Sequence, residues 1–282
     1  MIAPFTKMHG LGNDFVIFNT LDMSINLDDD AKTSLILREI ADRHLGIGCD
    51  QILFLTPAKT TDSNFHCRIF NADGSEAGMS GNGLRCLAKF VYSKSLIAER
   101  SFVISTYARN VEVYIENDNL ITLNMGNVDF APENIPILAT PKAFSYNLET
   151  SFGKFDFGAV SLGNPHAVIK IDDLDTIDVE KIGGLISKHP IFPQQANVSF
   201  MQVLNNSNIK LRTYERGTGV TLACGSGSCA AVAIGKIWKL LDEVVTVHLR
   251  HGNLQVKWKN IDSPLFLTGP ASEVFDGAIN LG

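Results

Sequence analysis

Long apolar runs, basic runs and a disulfide-rich cysteine content are all missing from this sequence of 282 residues. No apolar run approaches the roughly 18 residues that a membrane-spanning helix needs, which argues against an integral membrane protein. The 24 basic residues are outnumbered by 30 acidic ones, for a net charge of −6. Without a basic run there is no counterion release to drive nucleic-acid binding. We therefore expect neither a membrane nor a nucleic acid as a partner.

Cysteine is scarce, and the number of cysteines is odd. A long chain with five cysteines is typical of free thiols in a reducing compartment rather than of a disulfide scaffold. The first ten residues contain neither a continuous apolar stretch nor a small-residue cleavage site, so we expect a cytoplasmic protein. The 45% hydrophobic content excludes a disordered chain.

Apolar periodicity predicts few helices and many strands. Helical spacing predicts helices over about 83–96 and 228–241, each after a glycine-rich turn. Further helices are predicted over 178–188 and between Asp28-Asp29-Asp30 and Gly46, with turns at 116–119 and 251–253. Strand-like segments are 15–18, 52–55, 65–70, 102–105, 111–116, 120–124, 160–162, 167–171, 198–203, 209–214, 244–249, 254–258 and 265–268. This pattern predicts an α+β fold in which antiparallel sheets or barrels wrap a central helix in each half.

An internal repeat relates the two halves of the chain. Ser80-Gly81-Asn82-Gly83 aligns with Cys224-Gly225-Ser226-Gly227, and three further short matches keep the same order at offsets of 144 to 151 residues. The repeat predicts two pseudo-symmetric domains, 1–130 and 131–282, with the C-terminal tail able to return to the first domain. The proline-rich stretch 132–141 is the predicted linker, and we expect a site in the cleft between the halves.

The two glycine-rich turns have a chemistry of their own. A turn that opens a helix presents unpaired N–H groups and a positive dipole end, which suits a carboxylate. The same environment lowers the pKa of a cysteine, so Cys224 is predicted to be a reactive thiol. Two such turns sharing one carboxylate would acidify the adjacent carbon, and a group on each face could remove or return its proton. This arrangement favours racemisation or epimerisation by two bases.

The motifs resemble those of the diaminopimelate epimerases, the cofactor-independent enzymes that interconvert LL- and meso-diaminopimelate. The matching segments are Lys7–Phe15, Gly48–Gln51, Phe70–Glu76, Gly81–Cys86, Gly163–His166, Ala196-Asn197, Glu215–Gly219, Ala223–Ala230 and Gly269–Ala271. The resemblance implies lysine and peptidoglycan precursor biosynthesis, a homodimer and no cofactor.

The resemblance also implies roles for individual residues. Cys224 matches one catalytic cysteine, and Ser80 stands where the family has the other. His166 and Glu215 match positions that tune the thiols, and Phe275 stands where the family usually has a tyrosine at a dimer contact. The residues implied to hold the reacting end of the substrate are Asn13, Asn71, Gly81, Asn82, Gly225 and Ser226, with Gln51 as a further contact. Those implied to hold the distal end are Asn164, Asn197, Glu215 and Arg216.

Ser80 departs from the family pattern and puts activity in doubt. A serine hydroxyl has a pKa far above that of a thiol, and no dedicated base is evident near it in the sequence. We therefore predict a largely inactive chain. Ser80 fits an engineered Cys→Ser form, a natural variant of low or altered activity, or a single-cysteine branch of the family.

Two other functions fit part of the sequence. One is an enzyme like the proline racemases, in which serine or threonine replaces one cysteine and hydroxyproline is dehydrated. The other is a catalytically silent protein that keeps an amino-acid-binding cleft. Only His248 and His251 lie close together among the seven histidines, with no acidic or cysteine partner, so no metal site is predicted.

Overall fold

The computed structural model describes residues 2–23, 30–117, 119–140 and 144–281, and the chain divides into two compact units. The first unit comprises Met1–Leu123 and Gly269–Gly282, and the second comprises Asn124–Thr268. The predicted cap at Asp28-Asp29 and the tip of the turn at Asp118 lie outside the described residues. No helix in the described ranges is long and apolar enough to cross a membrane.

The secondary structure is dominated by strands. Helices are α1 Asp30–Ala41, α2 Gly81–Ser93, α3 Val179–Ser187 and α4 Gly225–Ile237. The first eight strands along the chain are β1 Ile2–Gly10, β2 Asn13–Asn19, β3 Gln51–Pro57, β4 Phe65–Asn71, β5 Glu76–Ala77, β6 Ser101–Ser105, β7 Asn110–Ile115 and β8 Leu120–Gly126. The remaining strands are β9 Tyr146–Thr150, β10 Gly153–Ser161, β11 Pro165–Ile171, β12 Asn197–Asn205, β13 Asn208–Glu215, β14 Gly219–Thr221, β15 Val244–Leu249, β16 Gly252–Trp258, β17 Leu265–Pro270 and β18 Ser272–Asn280.

Each unit mixes antiparallel and parallel strand pairs. The parallel pairs are β2–β3 and β4–β6 in the first unit, and β11–β12 and β13–β15 in the second. A helix lies between the two strands of every parallel pair, because parallel neighbours need a crossover connection. The predicted α+β architecture is therefore confirmed, with parallel pairs that strand patterning alone did not reveal.

A central helix is enclosed by strands in each unit, as predicted. Helix α2 packs on β1, β2, β3, β7 and β18, and α4 packs on β10, β11, β12, β13 and β16. Both helices begin and end earlier than periodicity predicted. They begin immediately after Ser80 and Cys224, whose side chains cap them, and they end before Ser95 and Lys239, whose positive φ angles of 56° and 60° break the helix.

The strand registers reproduce the internal repeat. Phe15 pairs with Gln51 across β2 and β3, and His166 pairs with Asn197 across β11 and β12. These are the residues that the sequence alignment equated, at offsets of 151 and 146. The two units are thus built on the same strand order.

The proline-rich stretch belongs to the second unit. Ile135 and Ile137 are buried in its hydrophobic core, beside Phe157, Phe192 and Phe200. The chain passes between units earlier, at Leu123–Asn124 within β8. The prolines predicted an irregular segment here. The burial of its two isoleucines places that segment in the second unit.

Candidate active site

The two glycine-rich turns have the same local geometry. Ser80 and Cys224 are extended N-caps, with φ and ψ of −143° and 109° and of −110° and 109°. The backbone N–H of Gly83 donates to Ser80 Oγ at 3.2 Å, and that of Gly227 donates to Cys224 Sγ at 3.2 Å. Each cap therefore satisfies one N–H of its helix and leaves the other N–H groups of the first turn for an anion.

Close packing requires glycine at the third helical position of each turn. A Cβ on Gly83 would lie 3.1 Å from Ser80 Oγ. A Cβ on Gly227 would lie 2.9 Å from Thr213 Oγ1 and 3.1 Å from Cys224 Sγ. A larger residue would displace the capping side chains, so the glycines fix where the Ser80 and Cys224 side chains lie.

In the first unit the predicted site residues form two hydrogen-bonded pairs. Asn82 Nδ2 donates to Asn13 Oδ1 at 3.1 Å, and Gln51 Nε2 donates to Asn71 Oδ1 at 2.8 Å. The second pair follows from the register of β3 and β4, where Gln51 lies opposite Asn71. The structure thus joins Asn82 of the α2 N-terminus to a residue of β2, and it joins the ends of β3 and β4.

In the second unit the corresponding residues surround His166. Its Nε2 lies 3.0 Å from Asn164 Oδ1, and Asn197 Nδ2 lies 3.5 Å from the same nitrogen. The backbone N–H of Arg216 donates to Asn197 Oδ1 at 2.9 Å. The Arg216 guanidinium donates to the carbonyl of Gln194 at 3.0 Å, which orients it.

His166 is a neutral imidazole. Burial, with a smaller effect of the Arg216 charge, lowers the pKa of His166 to about 3. Its Nδ1 is buried and has no hydrogen-bond partner within the described part of the chain. With the Nε2 proton donated to Asn164, Nδ1 carries a lone pair that can accept a hydrogen bond from a ligand.

Burial sets the protonation of Cys224 and Glu215. It raises the pKa of the Glu215 carboxyl, although Thr221 Oγ1 donates to it at 2.5 Å and Cys224 also interacts with it. Burial and then the Glu215 charge raise the pKa of Cys224 well above its ordinary value, more than the Gly227 N–H lowers it. The expectation of a lowered pKa is wrong, because desolvation outweighs the helix terminus. Cys224 is therefore a thiol, able to donate a proton.

The other four cysteines are buried, and within the described residues none of them forms a disulfide. Burial raises the pKa of Cys49 and of Cys86 to about 12 and raises that of Cys67 further. Cys229 is fully buried in α4. These four thiols are packing residues.

Phe275, the predicted dimer residue, lies on β18 in the first unit. Its side chain is 47% exposed and its ring contacts Phe5 edge-on at 5.9 Å. The neighbouring Val274 is 54% exposed. A dimer contact at Phe275 remains a prediction.

A cavity of about 400 Å³ lies elsewhere in the first unit. It is lined by Lys89, Tyr92 and Ser93 of the last turns of α2, with Ile115, Asn117, Asn119 and Ile121. Ser80 caps the opposite end of this 13-residue helix. The cavity is therefore separate from the predicted site residues.

Sequence reasoning assigned no role to a charged cluster beside Asn13. Arg43 makes two hydrogen bonds to Asp14, and Lys7 Nζ donates to the same carboxylate at 2.7 Å. Arg43 also donates to Asp50 at 2.8 Å. Asp14 and Asp50 stood within the quoted motifs, but the partner that joins them, Arg43, lies between the motifs.

Replacing Glu215 with glutamine tests its electrostatic effect on Cys224. Because the Glu215 charge raises the pKa of Cys224, its removal should lower that pKa. The pH midpoint for alkylation of Cys224 should therefore move to lower pH. Iodoacetamide labelling at graded pH, read by mass spectrometry of the Cys224 peptide, measures this midpoint. Glu149→Gln, at an exposed position of β9, is the matched control; an unchanged Glu215→Gln midpoint would contradict the interaction.

The family comparison matches most of the chain. A model described as diaminopimelate epimerase matches residues 5–131 and 158–274. Both glycine-rich turns and all the predicted site residues except Phe275 lie within the matched ranges.

Solved structures share the fold across nearly the whole chain. A hydroxyproline epimerase from Agrobacterium vitis with bound trans-4-hydroxy-L-proline gives a TM-score of 0.71 at 14% identity, covering 99% of this chain and 92% of that one. A Bacillus anthracis phenazine biosynthesis protein of the PhzF family gives 0.67 at 16%, covering 99% of both. A predicted epimerase from Pseudomonas aeruginosa gives 0.68 at 15%, covering 98% and 99%. At these identities the likeness establishes the fold.

Proposed function

The chain belongs to the diaminopimelate epimerase family, and we propose that its site is built to interconvert LL- and meso-diaminopimelate without a cofactor. The observation that carries the proposal is the matched pair of caps. Ser80 and Cys224 each place an acid–base atom 3.2 Å from a backbone N–H at the start of a helix. Epimerisation needs one group to remove the α-proton and another to return it.

The reacting amino-acid end of the substrate has matching groups in both turns. Its carboxylate would accept hydrogen bonds from the first-turn N–H groups, which stabilise the charge that develops when the α-proton leaves. The asparagines supply donors and acceptors for the carboxylate and the ammonium. The residues proposed for this end are Asn13, Gln51, Asn71, Gly81, Asn82, Gly225 and Ser226.

The distal end, which keeps its configuration, is assigned to residues of the second unit. Arg216 can clamp a carboxylate through its planar guanidinium, and Glu215 can pair with an ammonium. Asn197 is already held by the Arg216 backbone, so the two residues would act together. Asn164 completes this set, and it also holds His166.

Proton transfer at Cys224 follows from its protonation. As a thiol it can return a proton to the substrate carbon, whereas removal of a proton requires that the thiol first ionise. Glu215, which interacts with the thiol and whose pKa is raised, is the group that would take up that proton. His166 is a neutral imidazole whose Nδ1 can accept a hydrogen bond, and we propose that it tunes the acidity of the group at position 80.

Ser80 interrupts this scheme. Its hydroxyl is a far weaker acid than a thiol, and a neutral His166 whose pKa is lowered to about 3 is too weak a base to ionise it. We propose that the chain binds diaminopimelate but exchanges its α-proton slowly.

Substrate identity is tested with the Ser80→Cys form. Exchange of the α-proton into deuterated buffer is followed by NMR for LL- and meso-diaminopimelate and, separately, for trans-4-hydroxy-L-proline. Exchange with diaminopimelate alone supports the proposal. Exchange with hydroxyproline alone would assign the chain to a proline racemase-like activity. Binding of diaminopimelate without α-proton exchange, both in the present chain and in the Ser80→Cys form, would indicate a catalytically silent binding protein.

We further propose a cytoplasmic homodimer that uses the exposed face of β18 around Phe275. Val274 and Phe275 expose apolar surface on this strand. Light scattering should give twice the chain mass for the protein and the chain mass for Phe275→Asp. Leu45→Asp, which alters a side chain of 92% exposure elsewhere in the unit, should leave the mass unchanged. A monomeric parent protein would refute the dimer.

A further inference from the structure

A line of side-chain hydrogen bonds connects surface charges of the first unit with the first turn of α2. Arg43 donates to Asp50 at 2.8 Å, and Asn13 Nδ2 donates to the other Asp50 oxygen at 2.8 Å. Asn82 Nδ2 donates to Asn13 Oδ1 at 3.1 Å, and Arg85 donates to Asn82 Oδ1 at 2.7 Å. Two amides thus lie in series between a carboxylate and a guanidinium.

The ends of this line determine the direction of every hydrogen bond in it. A carboxylate only accepts and a guanidinium only donates, whereas an amide by itself can be turned either way. With Asp50 at one end and Arg85 at the other, one orientation of Asn13 and Asn82 makes all the bonds. Turning either amide would place two donors or two acceptors face to face.

Both ends are themselves held in place. The backbone N–H of Asp14 donates to Asp50 Oδ2 at 3.1 Å, and that of Asp50 donates to Asp14 Oδ1 at 2.9 Å. Although burial acts to raise it, hydrogen bonds from Arg43 and Lys7 hold the pKa of Asp14 well below its usual range. Arg85 is fully buried. The polarity of the line is therefore built into the fold.

We propose that Asp50 is a positioning residue that fixes the amide orientation of Asn13, and through it that of Asn82, for the reacting end of an amino-acid substrate. The line uses one N–H and one oxygen lone pair of Asn13. The second N–H and the second lone pair keep a fixed orientation as a result. This proposal rests on the proposed function for its substrate, but the orientation itself can be measured without one.

The orientation is tested with Asp50→Asn, because an asparagine at position 50 can donate as well as accept. Hydrogen exchange of the Asn13 side-chain amide, followed by ¹⁵N NMR, should accelerate by about ten- to a hundredfold when the charged acceptor is lost. Asp172→Asn removes the same charge from a fully exposed side chain and should leave the rate unchanged. An Asn13 rate unchanged in Asp50→Asn would overturn the proposal.

The consequence for substrate is measured in the Ser80→Cys background. Asp50→Asn should raise KM for diaminopimelate by about tenfold, with a smaller change in kcat, because binding geometry is lost while the acid–base groups remain. The exchanged pair Asn13→Asp with Asp50→Asn restores a donor and an acceptor between the two positions. This exchanged pair should have the melting temperature of the Ser80→Cys parent. Its KM should stay above that of the parent, since an aspartate at position 13 has only acceptors.

If the exchanged pair regains both the melting temperature and the KM of the Ser80→Cys parent, Asp50 has a structural role only. This result would overturn the proposed positioning role. The proposed function can fail separately. A Ser80→Cys form without any α-proton exchange refutes the epimerase activity, while the amide exchange rates still decide whether Asp50 orients Asn13.

Discussion

Replacing Ser80 with cysteine is expected to accelerate α-proton exchange from diaminopimelate by about 10²- to 10⁴-fold, the usual contribution of a positioned acid–base group. The hydroxyl and thiol occupy equivalent positions, since Ser80 Oγ and Cys224 Sγ each accept an N–H at 3.2 Å. A cysteine at position 80 can therefore cap α2 as Cys224 caps α4. The substitution changes the acidity of the group and keeps its place.

The measurement is the loss of the α-proton NMR signal in deuterated buffer, with both LL- and meso-diaminopimelate. The matched control is Ser80→Cys combined with Cys224→Ser, which again carries one serine and one cysteine, in exchanged positions. This control should remain as slow as the present chain, because either turn alone supplies only one thiol. Equal exchange rates for the present chain and the Ser80→Cys form would refute the assignment of position 80.

Truncating Phe54 to alanine should destabilise the first unit by about 3–5 kcal/mol, the usual cost of removing a buried phenylalanine. Phe54 is 1% exposed. Its ring stacks on Phe18 at 5.2 Å and meets Phe70 edge-on at 5.7 Å. These three strands, β2, β3 and β4, also carry Asn13, Gln51 and Asn71, so the site depends on this core.

Urea unfolding followed by circular dichroism measures the loss of stability in Phe54→Ala. Tyr107→Ala removes another large aromatic side chain from the same unit, but one that is 82% exposed, and it should change the stability by no more than about 0.5 kcal/mol. Similar losses for the two variants would contradict the role given to the Phe18–Phe54–Phe70 cluster.

The sequence predicted segments that are buried on one or both faces better than segments at the surface. Every residue is buried in the segments Phe15 to Phe18 and Ile52 to Leu55, and the apolar runs of these segments predicted strands. Strand β18 was missed because most of its residues are exposed, which leaves no apolar alternation to detect. Strand β1 was missed although it is mostly buried, because its buried positions include the polar residues Thr6 and Lys7.

The candidate site was predicted residue by residue, but its electrostatics were not. Motifs identified Asn13, Asn82 and Cys224, and the structure pairs the first two directly. The pKa of Cys224 was expected to fall, whereas burial beside Glu215 raises it. Desolvation depends on every atom packed around a group, and no local pattern encodes it.

By itself the sequence determined the repeat, the glycine-rich turns and the presence of serine at position 80, where the resemblance predicts a cysteine. These are local features, because a cap, a tight turn and a strand period involve neighbours in the chain. Only the tertiary structure decided the parallel strand pairs, the neutrality of His166 and the line from Arg43 to Arg85. Those features join residues distant in sequence, and their energies come from burial and from contacts that exist only once the chain is folded.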